Sequence, residues 1–168
     1  INEIVKLDRS TLGNYLEFLK FSYLVVEVLK FAGIKERMKA KKKFLVIDQG
    51  LRNAVLKDYE VREDNVGFIL ENVVGINLFL FCKRENMRLH YWRVDDEVDF
   101  VISDEEVIPV EVKYKKRIRK NDKSKLKNFI RKFKKDKAFL IKKDFYGRER
   151  VGRSLLYFIP AEVFLLSL

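Results

Sequence analysis

The chain has 168 residues, 48% hydrophobic and 36% charged, with seven Gly, two Pro, one Cys and one His. That apolar content over that length supports a sizeable core and excludes disordered, collagen-like and low-complexity architectures. A single cysteine, Cys82, excludes an internal disulfide framework and a multi-cysteine zinc site, which makes a reducing cytoplasm the expected location.

The net charge of +11 is concentrated. Residues 113–137 carry fourteen Lys and Arg against two acids, a net of +12, so the rest of the chain sums to −1. Charge gathered in one segment points to a polyanionic partner, nucleic acid first, although a lysine-rich helix also serves simply as a solvated face. No signal peptide is visible. The most apolar stretch, Val66 to Cys82, is interrupted by Glu71, Asn72 and Asn77, and no membrane span is expected there. The start at Ile1 rather than Met reads as a piece of something longer.

In chain order, Asp8, Arg9 and Ser10 supply capping chemistry for a helix striped by Leu12, Tyr15, Leu16 and Leu19. The β-branched and aromatic runs Tyr23–Phe31 and Phe44–Ile47 flank a polar connection containing Gly33 and predict a hairpin. Helix followed by hairpin resembles the back half of a winged-helix module, so residues 1–47 are expected to be a partial winged helix or connector. A turn at Asp48-Gln49-Gly50 leads into a short helix, Leu51–Leu56, and a polar linker to Asp64. Val66–Lys83 is apolar on nearly every face, which predicts a buried helix.

Three strands should follow, Leu89–Val94, Glu97–Ile102 and Val107–Tyr114, joined at Asp95-Asp96 and at residues 103–106. The basic helix comes next, with Leu126, Phe129, Ile130 and Phe133 as its apolar stripe. Ala138–Ile141 and Leu155–Ile159 read as strands, and Pro160 opens a closing helix. The expected class for residues 48–168 is α/β: helix, three-stranded meander, crossover helix, strand.

Strand alternation sorts the side chains. Val98, Phe100 and Ile102 are expected on the core face, with Asp99 beside Glu97 and Val101 on the other. Ile108, Val110, Val112 and Tyr114 form the core set of the next strand, leaving Glu111 and Lys113 opposite. If the two strands pair, Asp99 meets Glu111 with Lys113 one step along. Adjacent carboxylates repel unless a cation compensates, and a hard divalent ion such as Mg²⁺ or Mn²⁺ takes carboxylate and carbonyl oxygens. Lys113 would then act on a water or a phosphate. The plainer alternative is a solvent-facing ion pair on an edge strand. Glu71 is a lone acid in an apolar helix, which calls for a metal or a buried lysine partner. His90 and Cys82 are expected to be packing residues.

The segments GFILENVV, YWRVDDEVDFVI and IPVEVKY, with FLVIDQGLRNAVL upstream, resemble the C-terminal domain of unknown function of archaeal and bacterial AAA-type ATPases. That family belongs to the PD-(D/E)XK, restriction-endonuclease-like superfamily. The resemblance implies a metal-dependent nuclease site in which Glu71 is the helical acid, Asp99 the central acid, and Glu111 and Lys113 the last motif. Asp99, Glu111 and Glu71 would hold Mg²⁺ or Mn²⁺. Val98 departs from the proline of the superfamily name, and no glutamine motif is evident after Lys113. Nothing reads GxxxxGK[ST], so no ATP site is expected in this chain and the ATPase half should lie elsewhere.

Nucleic-acid contacts are expected from Lys115, Lys116, Arg117, Arg119, Lys120, Lys127, Arg131, Lys132 and Lys134. Phe129 and Phe133 are expected mainly in the core, and Arg9, Asn14 and Lys20 face DNA only if the first helix is a recognition helix. Expected partners are DNA or other nucleic acid, an ATPase domain, and other copies of the chain. Two readings follow: a nuclease-like domain, or a non-catalytic nucleic-acid- or protein-docking module that keeps the nuclease fold.

Overall fold

A computed structural model describes residues 7–94, 96–115 and 120–168, with the backbone alone at 120 and 121. These residues form a mixed α/β fold of one eight-stranded sheet and six helices. In chain order the elements are α1 (Arg9–Phe21), β1 (Val25–Lys30), α2 (Ile34–Lys39), β2 (Lys43–Val46), α3 (Gln49–Leu56), α4 (Val66–Arg84) and β3 (Arg88–Arg93). They continue with β4 (Glu97–Ser103), β5 (Val107–Val112), α5 (Lys120–Phe133), β6 (Lys137–Lys142), β7 (Gly147–Val151), β8 (Ser154–Pro160) and α6 (Ala161–Leu166).

Asp8 caps α1, accepting from the amides of Ser10 and Thr11 at 2.8 and 2.9 Å. Asp48 does the same for α3 through Leu51. The strands lie in the order β2-β1-β3-β4-β5-β6-β8-β7. β1–β3, β5–β6 and β6–β8 are parallel and the remaining pairs antiparallel. The expected hairpin is β1–β2, with the short α2 inserted in its connection. Because β1 also pairs with β3, the hairpin extends the same sheet that carries β4 and β5.

Both faces of the sheet are covered, which explains why its central strands are apolar in near-continuous runs. On one face α4 and α6 close a cluster that includes Val28, Leu45, Val74, Leu78, Phe100, Val110 and Ile141. On the other, α5 lays Leu126, Phe129 and Ile130 against Val98, Val101, Leu140 and Leu156. Trp92, Phe129 and Phe133 interlock there, with Trp92 and Phe129 edge-to-face at 5.3 Å.

α4, 19 residues long with a mean hydropathy of 1.6 over its most apolar 18, is long and apolar enough to cross a membrane. Here it is the central helix across the sheet, and each polar interruption has a local partner. The Asn72 side chain accepts from the Val46 amide at 2.9 Å and donates to its carbonyl at 2.7 Å, stitching α4 to the end of β2. Asn77 donates to the carbonyl of Val73. The helix is not buried all round, however: Phe68 and Leu80 are both 58% exposed on its outer side. An eight-stranded sheet gives one helix only one face to cover, so an apolar outer stripe remains.

Two elements have no counterpart in the sequence reading. β7, GRERV, is an edge strand paired only with β8, and α2 is a six-residue helix in what reads as a polar connection.

Candidate functional site

The backbone of β4 sets the site. Its pairing with β3 shifts register between His90 and Trp92, so Asp99 and Phe100 together oppose Tyr91. This bulge corrects the simple alternation. Val98 packs with Val101 in the α5-side cluster, while Phe100 and Ile102 pack under α4. One extra residue turns the strand by one place, a device that re-aims a side chain.

The register of β4 against β5 pairs Phe100 with Val110, and continued one residue further it sets Asp99 opposite Glu111, as the pairing argument expects. An Asp99 carboxylate oxygen accepts from the Val112 amide at 2.8 Å, and the Asp99 amide donates to Glu111 at 3.3 Å. Each acid thus reaches the other strand's backbone, and the two groups are locked side by side. Neither faces solvent: Asp99 is 5% exposed and Glu111 fully buried. The edge-strand alternative fails because β5 lies inside the sheet, between β4 and β6.

Lys113 places its Nζ 2.7 Å from Glu111 Oε1, and Lys125 of α5 stands 3.8 Å from the same oxygen. Glu71, on the second turn of α4, turns instead to Lys43, whose Nζ is 2.5 Å away. Lys43 is the residue of this cluster that sequence reasoning missed. Its ammonium also reaches the Asp99 carbonyl at 3.3 Å and Glu97 at 3.9 Å, and it lies 4.7 Å from the centroid of the Phe100 ring. Its signal was weak, one lysine among several at a strand start. The sequence-level alternative of a lysine partner for Glu71 is the arrangement found.

These placements set the protonation. Burial, then the neighbouring charges of Glu111 and Glu71, push the Asp99 carboxyl up to about 7 against the pull of Lys113 and Lys43. Burial also raises Glu111, opposed chiefly by Lys113. Burial works to lower the Lys113 ammonium, but Asp99, Glu111 and Glu71 outweigh it and hold it above its usual value. Burial and their mutual charge thus keep this pair protonated to a higher pH than exposed carboxyls.

Lys113 and Glu71 open onto a cleft of about 600 Å³. Glu63, Asp64 and Glu71 bring acid to its lining; Lys113, Lys115 and Lys143 bring charge of the opposite sign. Among the described residues no three His, Cys, Asp or Glu side chains converge closely enough to hold a metal ion, since Glu71 is drawn onto Lys43. The acid pair itself fits a hard cation. It offers two hard oxygen donors and a raised carboxyl whose repulsion a divalent charge would relieve.

The basic segment is partly committed to the fold. Lys123 and Lys127 each bond Glu149 of β7 at 2.7 Å, and Lys132 covers the ring of Trp92. Lys115, Arg131, Lys132 and Lys134 are exposed. Lys116, Arg117 and Arg119 lie outside the described residues, as do Asp95 and the side chain of Lys120. Cys82 is buried in the core, and burial raises its thiol to about 11, which makes it inert as a nucleophile.

No curated protein matches the chain. A family model does match, over residues 66–161, from the start of α4 through β8. That span takes in Glu71, Asp99, Glu111 and Lys113 and covers more than half of the sequence. The chain belongs to the domain-of-unknown-function family DUF4143, a domain found in AAA-ATPase-associated proteins.

Proposed function

We propose that this chain is a metal-dependent, nuclease-like, nucleic-acid-binding domain that works with an AAA-type ATPase. The observation that carries the reading is the buried Asp99–Glu111 pair, held side by side by backbone hydrogen bonds with Lys113 on Glu111. Burying two carboxylates together is costly, and a fold seldom keeps such a pair without a cation or a reaction to use it. The finer fold assignment belongs to the same proposal. α4, β3–β5, α5 and β6 would be a restriction-endonuclease-like core, and the segment up to residue 47 a winged-helix remnant.

Asp99 and Glu111 would hold Mg²⁺ or Mn²⁺, and Glu71 would join when Lys43 releases it. When bound, such an ion polarises a phosphoryl oxygen and lowers the pKa of a water. Lys113, kept charged by its acid neighbours, is placed to orient that water or to neutralise charge building on the phosphate. Lys115 and Lys143 line the same cleft and would receive adjacent phosphates, which fixes register without reading sequence.

A docking module without catalysis is the second reading. The Lys43–Glu71 pair favours it, because a lysine already neutralises the helical acid. One assay separates the two. Short DNA and RNA duplexes and single strands are incubated with the protein in Mn²⁺, Mg²⁺ or chelator. Cleavage should require the cation and fall by about a hundredfold or more in Lys113→Ala, a loss typical of removing a group that acts on the proton or charge in flight. Binding should weaken steeply with salt in both proteins. Binding without cleavage under any cation selects the docking module. Absence of nucleic-acid binding at low salt removes the nuclease reading and leaves a protein-docking module.

A further inference from the structure

The positive charges of the site are shared out among its acids. Lys113 holds Glu111 at 2.7 Å, with Lys125 3.8 Å from the same oxygen. Glu71 is held from a different part of the fold, by Lys43 at the start of β2. Among the described residues that strand is an edge of the sheet, paired with β1 alone.

The surroundings of the Lys43 ammonium are those of a bound cation. Oxygens of three residues converge on it: a Glu71 carboxylate oxygen at 2.5 Å, the Asp99 carbonyl at 3.3 Å and a Glu97 carboxylate oxygen at 3.9 Å. The Phe100 ring, its centroid 4.7 Å away, adds a π face. Without this charge, Glu71 and Glu97 would bring two more negative groups towards a buried acid pair that already repels itself. Lys43 thus stabilises the metal-free cluster.

The same placement sets Lys43 against a metal. A divalent ion on Asp99 and Glu111 would meet a like charge, because the lysine Nζ lies 3.3 Å from the carbonyl oxygen of Asp99 itself. Repulsion between partly buried charges is poorly screened. The ion would also meet Glu71 already engaged. The pair is able to open. Its two side chains are 17% and 30% exposed, so water reaches both, and lysine carries a compact, well-hydrated charge on a flexible stem. Opening removes a like charge and frees a third carboxylate in one movement.

We propose that Lys43 is an internal counter-cation that competes with the divalent ion for Glu71, so that the ion gains its third carboxylate only by displacing the lysine. The proposal rests on the reading of Asp99 and Glu111 as a metal site and adds a residue of β2 that regulates it.

Mn²⁺ alone is the probe, its free concentration read from its EPR signal during titration of each protein at pH 7.5. Lys43→Met keeps the stem and removes the charge, and should bind Mn²⁺ about tenfold or more tightly than wild type, since affinity for a hard cation follows the charge count of its ligands. Lys43→Arg keeps the charge and should stay within about twofold of wild type. In a Glu71→Gln background the same Lys43→Met change should gain clearly less, because the acid it would release is gone. Lys43→Gln, neutral but still a donor to Glu71 and the Asp99 carbonyl, gives the same direction of change if the methionine variant folds poorly. A purely structural ion pair would lower the metal-free melting temperature of Lys43→Met and leave its Mn²⁺ affinity at the wild-type value. That result, or weaker binding by the neutral variants, overturns this proposal and leaves the metal site standing. Absence of Mn²⁺ binding in wild type and variants alike overturns the metal reading and this proposal with it.

Discussion

Asp99→Asn is expected to make the metal-free protein more stable at pH 8, with a clearly smaller effect at pH 5. The Asp99 carboxyl sits at about 7 in the fold, against an ordinary value near 4 in the unfolded chain. A raised carboxyl contributes its full stability below the unfolded value and loses it as pH rises through the folded one. Wild type should therefore lose stability from about pH 4 to pH 7, so that most of the loss between pH 5 and pH 8 falls below pH 7, while the variant stays flat in this respect. About two pH units of that window lie above pH 5, and at about 1.4 kcal/mol each they set a ceiling on the order of 3 kcal/mol for the loss between pH 5 and pH 8. For a chain of this size that is a shift of at most roughly 6–12 °C in melting temperature. Asparagine keeps an oxygen for the Val112 amide and offers Glu111 a donor, so the fold need not change. Melts at pH 5, 6.5 and 8 check it. Parallel curves for the two proteins would show that Asp99 is ionised throughout.

The second large effect comes from Gly75, where α4 crosses the sheet. A Cβ there would stand 2.5 Å from Cζ of Phe100 and 2.7 Å from Cδ1 of Leu45. Phe100 is fully buried and Leu45 nearly so, which leaves neither room to move. Alanine gains about 1 kcal/mol of helix propensity at an ordinary helical glycine, but overpacking of this severity costs typically 1–3 kcal/mol or more. Gly75→Ala should be net destabilising by up to about 2 kcal/mol. Gly13→Ala in α1, with open space around its Cβ, should be stabilising by up to about 1 kcal/mol. The same substitution thus has opposite signs at two helical sites. Adding Phe100→Leu to Gly75→Ala should cost less than the two changes separately, because the smaller side chain makes room for the methyl. Urea unfolding of the four variants decides it. Strict additivity would mean that α4 does not rest on Phe100.

Much of this architecture is legible in the sequence because apolar periodicity marks the elements buried on both sides. α4, the β3–β4–β5 meander, α5 and the parallel strands β6 and β8 all carry that signal. β7 does not. As an edge strand it satisfies one neighbour only, and its charged residues suit an edge, where they discourage pairing with other chains. α2 is too short for periodicity to register. The site itself was half visible. The Asp99–Glu111 juxtaposition follows from hairpin register, and Lys113 from its place one step along. The bulge at Asp99 and Phe100 was not visible, since alternation carries no mark of an inserted residue. Lys43 was hidden because its role arises from tertiary packing, in which β2 is brought beneath α4.

The most direct test of the metal reading is a thermal melt of wild type and Asp99→Asn with and without millimolar Mn²⁺ at pH 7.5. A ligand at a hundred times its dissociation constant adds about 2.7 kcal/mol of stability. Wild type should therefore melt roughly 5–10 °C higher with the cation. The variant, lacking one of the two paired acids, should lose most of that shift. A wild-type melting temperature that ignores Mn²⁺, or a variant that responds as strongly as wild type, would contradict a metal site at Asp99 and Glu111.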